Sequence, residues 1–310
     1  MEHEIKEIRA AISEFLWHCR FEKNLNEKTI NAYATDLKQF SDYIGETYNL
    51  FEVTKVGLKN YLQHISRFQH KTIKRKLASL RAMLNYFECE YDTYINPMRK
   101  MQIKIKDPVR LPIVMTIEEV RKILAYLYAK SSSACHQNTY SHQADIRNIA
   151  VVELLFASGI RVSELCSLCN KDIDMLNGII RIIGKGNKER IINICQPETL
   201  LALKHWVKLK GNNLDLKAPF FTNRLYHGLS TQSVRQIIHR IISATGIEKH
   251  ITPHTFRHTF ATLLLEEDVD IRYIQSLLGH SSIAITQIYT HVNTHKQREI
   301  LQKKHPRRLI

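Results

Sequence analysis

No stretch of this sequence stays apolar over the ~18–20 residues needed to cross a bilayer. The opening MEHEIKEIRAAISEF is charged throughout and offers no signal-peptide core, so the expectation is a cytoplasmic protein. Cysteine is sparse: six among 310 residues do not make a disulfide framework. One close pair, Cys166 and Cys169 in CSLC, has the spacing of half a zinc site. No second Cys/His pair stands at ligand spacing, so no metal is expected and the pair reads as small, half-buried side chains. A GxxxxGKS/T loop is missing too, so ATP is not implied, and nothing else in the chain calls for a cofactor. We find no internal repeat and no low-complexity tract.

Acid is the remaining shortage. Asp plus Glu number 30 against 45 Lys plus Arg, a net charge of +15. Up to residue 110 the chain holds 19 basic and 14 acidic residues, and after it 26 and 16, so both parts are basic. That balance fits two regions that both lie against a polyanion, although an ordinary basic protein would show it as well.

Length suits two domains better than one. The first hundred residues carry helical patterns. After Asn26, a candidate N-cap, apolar residues fall at Ile30, Tyr33, Leu37, Phe40 and Ile44, the spacing of an amphipathic helix. A later helix puts Ile73, Leu77, Leu80, Leu84 and Phe87 on one face. Lys71, Lys74 and Arg75 lie on another face, either as a solvated surface or as DNA contacts. From Pro97 to Pro112 the sequence PMRKMQIKIKDPVRLP has no helical period and is rich in cations, which predicts a basic linker. Thr116 with Glu119 forms a capping box that opens the next helix. The expected order is a helical domain over 1–106, a linker over 107–115, a second domain over 116–293 and a tail over 294–310. Within the second domain, Ser131 to His142 is polar and aperiodic and predicts a surface loop. Helix signals resume near Ile146 and run to Phe156, with Gly159 as the cap. GIIRII and RIINI predict a β-hairpin around GKGNKE, and helical patterns return from Glu198 to about Lys303. The fold class expected is mainly α with a small antiparallel β-sheet in the second domain.

Four segments of that domain carry groups suited to a phosphodiester. Arg161 follows the glycine-terminated helix in GIRVSEL, and Lys185 stands between Gly184 and Gly186 in the hairpin turn. In TPHTFRHTFATLLL, Thr252 is a candidate N-cap and Pro253 takes the first helical position. His254 and Arg257 then share one face, one turn apart. Free backbone N–H groups and the helix dipole already favour an anion at such a start. His258 shares the face and reads as a packing histidine or as one that supports the site from behind. In LLGHSSIAITQIYTHV, Gly279 ends a helix, His280 follows, and Ser281 or Ser282 can cap the helix leading to Tyr289. Taken one at a time, each of these residues has an ordinary reading as a surface or core side chain.

Together they resemble the tyrosine recombinase (phage integrase) family, whose catalytic set runs Arg, Lys, His, Arg, His or Trp, Tyr. Arg161, Lys185, His254, Arg257, His280 and Tyr289 stand in that order and in matching context. LNEKTINAYATDLKQF resembles the family's N-terminal SAM-like core-binding domain, and RLP resembles its linker. TQIYTHV and the ending HPRRLI are similar to the Xer subgroup, while the loop from Ser131 to His142 looks longer than Xer proteins carry.

The resemblance implies a two-domain DNA clamp. It implies an enzyme that cleaves and rejoins specific double-stranded DNA sites through a 3′-phosphotyrosyl bond on Tyr289. It also implies a tetramer on DNA, with or without a paralogous recombinase, in which the tail docks onto a neighbouring protomer. The role is either resolution of chromosome dimers or integration and excision of a mobile element.

The chemistry is coherent. Growing charge on a phosphodiester needs cations, and arginine forks onto two oxygens better than a lysine point charge. Arg161 and Arg257 can grip the non-bridging oxygens and His280 can add a donor. By resemblance Lys185 donates the proton to the leaving 5′ oxygen and His254 accepts one near Tyr289; Glu164, one helical turn beyond Arg161, is placed to orient the cations. Two-metal nucleases need clustered carboxylates, which these segments lack. The rivals are a type IB topoisomerase, which shares the chemistry, and a DNA-binding regulator without catalysis.

Overall fold

The computed structural model describes residues 6–105, 112–132, 140–184, 189–211 and 215–279. The chain divides into two compact units, Met1–Val109 and Arg110–Ile310.

The first unit is helical. Its helices are α1 (Ile8–Phe21), α2 (Glu27–Ile44), α3 (Lys55–His64) and α4 (His70–Glu90). The side chain of Asn26 accepts from the Lys28 N–H at 2.8 Å and starts α2, as an N-cap should. Ile30, Leu37 and Phe40 of α2 and Ile73, Leu77, Leu80, Leu84 and Phe87 of α4 are buried, together with Phe15 and Tyr61. The 3–4 spacing read in the sequence is therefore the core face. Lys71, Lys74 and Arg75 are exposed on α4. Arg75 does more than face solvent, since it donates to buried Asp36 of α2 at 2.6 Å.

The second unit contains α5 (Ile117–Ser131), α6 (Tyr140–Ser158), α7 (Val162–Ser167) and three strands, β1 (Ile173–Asp174), β2 (Ile179–Ile183) and β3 (Glu189–Asn193). It continues with α8 (Pro197–Lys210), α9 (Thr231–Thr245), α10 (Pro253–Glu266) and α11 (Ile271–Leu278). The sheet is antiparallel in the order β1-β2-β3. The predicted hairpin is present with Ile180 opposite Ile192 and Ile182 opposite Arg190. The brief β1 strand carries no period that a sequence could show. The Thr116–Glu119 capping box closes in both directions. The Met115 N–H donates to buried Thr259 on α10 at 2.9 Å, which ties the entry of this unit to the helix bearing His254 and Arg257.

α6 is the central element and packs against α5, α8 and α10. It begins at Tyr140, not near Ile146, so the end of the predicted loop is helical, while 133–139 lie outside the described residues. The apolar period fails there because charged residues take inward positions. Buried Asp145 accepts from Lys130 at 2.8 Å, and buried Arg147 donates to the Thr222 carbonyl at 2.9 Å. Helix is also interrupted over 215–230, where Phe220 and Phe221 pack into the core from irregular backbone. The expected helix beyond Gly279 lies outside the described residues. Among the described residues no helix is long and apolar enough to cross a membrane.

Candidate active site

The site begins where α6 stops. Gly159 has φ +57, and a Cβ there would stand 2.6 Å from a Phe260 ring carbon and 2.9 Å from a Leu278 methyl. Only glycine turns the chain that tightly without displacing both neighbours. The turn aims the Gly159 carbonyl at Arg257, which donates to it at 2.7 Å, and it delivers Arg161 to the start of α7.

Arg257 sits on α10 one turn beyond His254, and the helix starts as the sequence suggests. The Thr252 hydroxyl accepts from the Thr255 N–H, and Pro253 follows the cap. Arg257 is buried, and it also donates to the Leu278 carbonyl at 2.6 Å. Arg161 donates to the next carbonyl, that of Gly279, at 2.9 Å. Consecutive carbonyls at the end of α11 thus orient the two arginines, directly before His280 in the sequence. A helix C-terminus carries partial negative charge, which suits guanidinium partners.

Glu164 is buried and binds Arg161 twice. It accepts the Arg161 N–H at 2.9 Å on one oxygen and the Arg161 guanidinium at 2.8 Å on the other. Arg190 of β3 then forks onto both oxygens, at 2.9 and 2.7 Å. Burial alone would raise the Glu164 pKa, yet the bonds from Arg190 and Arg161 outweigh it and hold it at about 2. The carboxylate is therefore ionised at any physiological pH.

His254 is exposed on the first turn of α10. Desolvation against the protein beneath it, followed by the charges of Arg257, Arg235 and Arg161, lowers its pKa. His258 is lowered by burial and then by His254 and Arg257. Both shifts favour the neutral imidazole, the form that can accept a proton. Three arginines acting on one histidine mark a focus of positive charge, the environment in which a phosphate is welcome.

The structure brings Arg161, Glu164, His254 and Arg257 together. Lys185, His280 and Tyr289 lie outside the described residues, and Lys71, Lys74 and Arg75 belong to the other unit. Two further residues of the cluster are absent from the sequence reading. Arg190 had a signal: in ERIINI the side chains of Ile192 and Ile194 are buried while Ile191 is 60% exposed, so Arg190 falls on the inward register. An arginine there demands a buried acid. Arg235 lies on the polar face of amphipathic α9 and had no such signal. Cys166 and Cys169 are half-buried, and burial pushes the Cys166 thiol up to about 11. Among the described residues no group of three or more His, Cys, Asp or Glu is placed to hold a metal.

Comparison with known proteins identifies the family and the fold. Residues 114–296 match the phage integrase family, and residues 12–90 match the phage integrase N-terminal SAM-like domain. The chain is 43% identical over 302 residues to a tyrosine recombinase of Agathobacter rectalis, covering 97% of this chain and 98% of the relative. It is 35% identical over 304 residues to tyrosine recombinase XerD of Halalkalibacterium halodurans, covering 96% and 97%. Among solved structures, the XerH site-specific recombinase in its post-cleavage complex with a palindromic difH substrate superimposes with a TM-score of 0.75. That match is at 24% identity and covers 94% of this chain and 84% of that one. The mainly helical fold with its small antiparallel sheet is thus that of the tyrosine recombinases. The chain belongs to the phage integrase family and is a DNA-acting tyrosine site-specific recombinase.

Proposed function

We propose that Tyr289 is the nucleophile and that the clustered cations are the phosphate grip of the exchange reaction. The observation that carries this reading is the pairing of Arg161 and Arg257 on the Gly279 and Leu278 carbonyls, which fixes two guanidinium groups on consecutive backbone acceptors, with their charges bearing on His254. Preorganised donors of this kind stabilise charge on a transition state because they need not reorient as it forms.

The bond from the Tyr289 oxygen to phosphorus forms as the bond from phosphorus to the 5′ oxygen breaks. His254 takes the tyrosine proton, and Lys185 gives one to the leaving 5′ oxygen. Arg161, Arg257 and His280 hold the non-bridging oxygens, and Glu164 orients Arg161. The phosphotyrosyl ester keeps the energy of the broken bond, so a 5′-hydroxyl from another duplex can reseal the strand.

In this reading residues 1–106 bind the core site with Lys71, Lys74 and Arg75 on phosphates, 107–115 link, 116–293 catalyse, and 294–310 dock onto a neighbouring protomer. Four protomers then act on two duplexes in the cytoplasm, alone or with a paralogous recombinase. Resolution of chromosome dimers and movement of an element use the same exchange and differ in where the two sites lie.

Tyr289→Phe is the direct test. It removes one oxygen and leaves the ring, so folding and DNA affinity should be kept. On a nicked suicide duplex the parent protein should attach covalently to the 3′-phosphate side, and the variant should form no adduct. Peptide mass spectrometry that finds the phosphate on Ser281, Ser282 or any residue other than Tyr289 would sink the assignment.

A further inference from the structure

We propose that Arg190 is a positioning residue of the exchange reaction, holding the Arg161 guanidinium in place from two sides through Glu164 and Gly279. The proposal rests on the reading of Arg161 as a phosphate-gripping group.

Four contacts close a ring. Arg190 donates to both Glu164 oxygens, at 2.9 and 2.7 Å. Those same oxygens take the Arg161 guanidinium at 2.8 Å and the Arg161 N–H at 2.9 Å. Arg161 reaches on to the Gly279 carbonyl at 2.9 Å. Gly279, at φ +64, lies flat against Arg190: a Cβ there would stand 3.0, 3.1 and 3.2 Å from the Arg190 Nη1, Cδ and Cζ. The ring joins β3, α7 and the end of α11. In the sequence Lys185 stands four residues before the start of β3.

Charge explains why an arginine stands here. Glu164 alone would pair with Arg161 and cancel the charge meant for the phosphate. With two guanidinium groups sharing one carboxylate the trio keeps a net positive charge, and Arg161 stays a third exposed along its side chain. A lysine in place of Arg190 could reach only one oxygen at a time. Nor is Arg190 simply core filling. Its Nε–H is buried and meets no acceptor among the described residues, an unmet donor that an aliphatic side chain of similar reach would not leave. The cost is tolerated for what the other two nitrogens do.

The test is a double-variant cycle read as the rate of covalent adduct formation on a suicide duplex at saturating DNA. Arg190→Met should slow adduct formation roughly 10²-fold, the scale of a group displaced by about 1 Å, and Arg190→Lys should recover part of it. DNA affinity by gel shift should stay near the parental value. In an Arg161→Lys background, Arg190→Met should add almost no further loss, because residues acting as one unit are not additive.

A loss that multiplies in that background would overturn the proposal, since Arg190 would then act independently of Arg161. A parental rate for Arg190→Met would also overturn it. Arg161→Lys cleaving at the parental rate would instead remove the phosphate reading of Arg161, and this proposal with it. Should Arg190→Met not fold, Arg190→Lys keeps the charge and carries the same cycle with the same deciding outcomes.

Discussion

Asp36 in the first unit and Glu164 in the second are both buried carboxylates shared by two cations, yet their surroundings differ. Asp36 takes Arg75 at 2.6 Å, Lys76 at 3.4 Å and the Ser79 hydroxyl at 2.9 Å. All three donors come from one helix, α4, so the cluster staples α2 to α4, and buried Lys76 also reaches Gln39. Glu164 takes its donors from α7's own start and from β3, and its partner Arg161 goes on to the end of α11. The first arrangement fixes a helix pair and leaves Lys71 and Lys74 on the outer surface. The second fixes the direction of a guanidinium. A buried acid therefore serves the fold in one unit and the aim of a cation in the other.

Arg257→Lys should break this contrast most sharply. The guanidinium spans two carbonyls, Gly159 and Leu278, and an ammonium cannot bond both and still face a phosphate. Loss of one preorganised oxyanion donor typically costs about 10²–10³ in rate. Adduct formation at saturating DNA should fall by that much. A fall of less than about threefold would mean that Arg257 only packs the core, on the same scale of comparison.

Glu164→Gln and Asp36→Asn sharpen the comparison as a pair. Each removes the charge that one largely buried cation faces, Arg190 in the first case and Lys76 in the second, and each should lower unfolding free energy by about 3 kcal/mol in denaturant titrations. Only Glu164→Gln should also slow cleavage per folded molecule. Equal cleavage losses from the two would erase the distinction. Acid adds a second check. The folded pKa of Glu164, about 2, lies below its ordinary 4.5. Its stabilisation is therefore complete above pH 4.5 and lost as pH falls towards 2. Over that window the parent should lose stability more steeply than Glu164→Gln.

How much of this could be read from the chain follows physical lines. Local chemistry was legible: Asn26, Thr116 and Thr252 cap helices by bonds within three residues, and Gly159 and Gly279 turn as glycines can. Apolar periods gave α2 and α4 because one face of each is buried. They failed at the start of α6, where Asp145 and Arg147 take inward positions as bonded charges. The candidate residues Arg161, His254 and Arg257 were legible as a set by order and context. What holds them was not, because the Leu278 and Gly279 carbonyls are backbone groups over a hundred residues from Arg161 and carry no signature. Arg190 was half legible, an inward arginine whose partner Glu164 could not be known without the fold.

The smallest expected effect concerns the outer face of α4. Lys71 and Lys74 are exposed there, and Arg75 pairs with Asp36 and keeps 47% of its side chain in solvent. If the face meets phosphates, each lysine contributes one displaced counterion, and removing it should flatten the slope of log affinity against log salt by ~0.9. Lys71→Ala and Lys74→Ala should each show this, and weaken binding alike on the cognate site and on unrelated duplex, because phosphate contacts carry no base information. Arg75→Ala should change the slope less than either and the stability more, since it also removes one of the three donors on Asp36 and leaves Lys76 and Ser79. Fluorescence anisotropy at four or more salt concentrations resolves the three slopes. Unchanged slopes for both lysines would mark this face as solvated surface and leave Asp36 serving the helix pair alone.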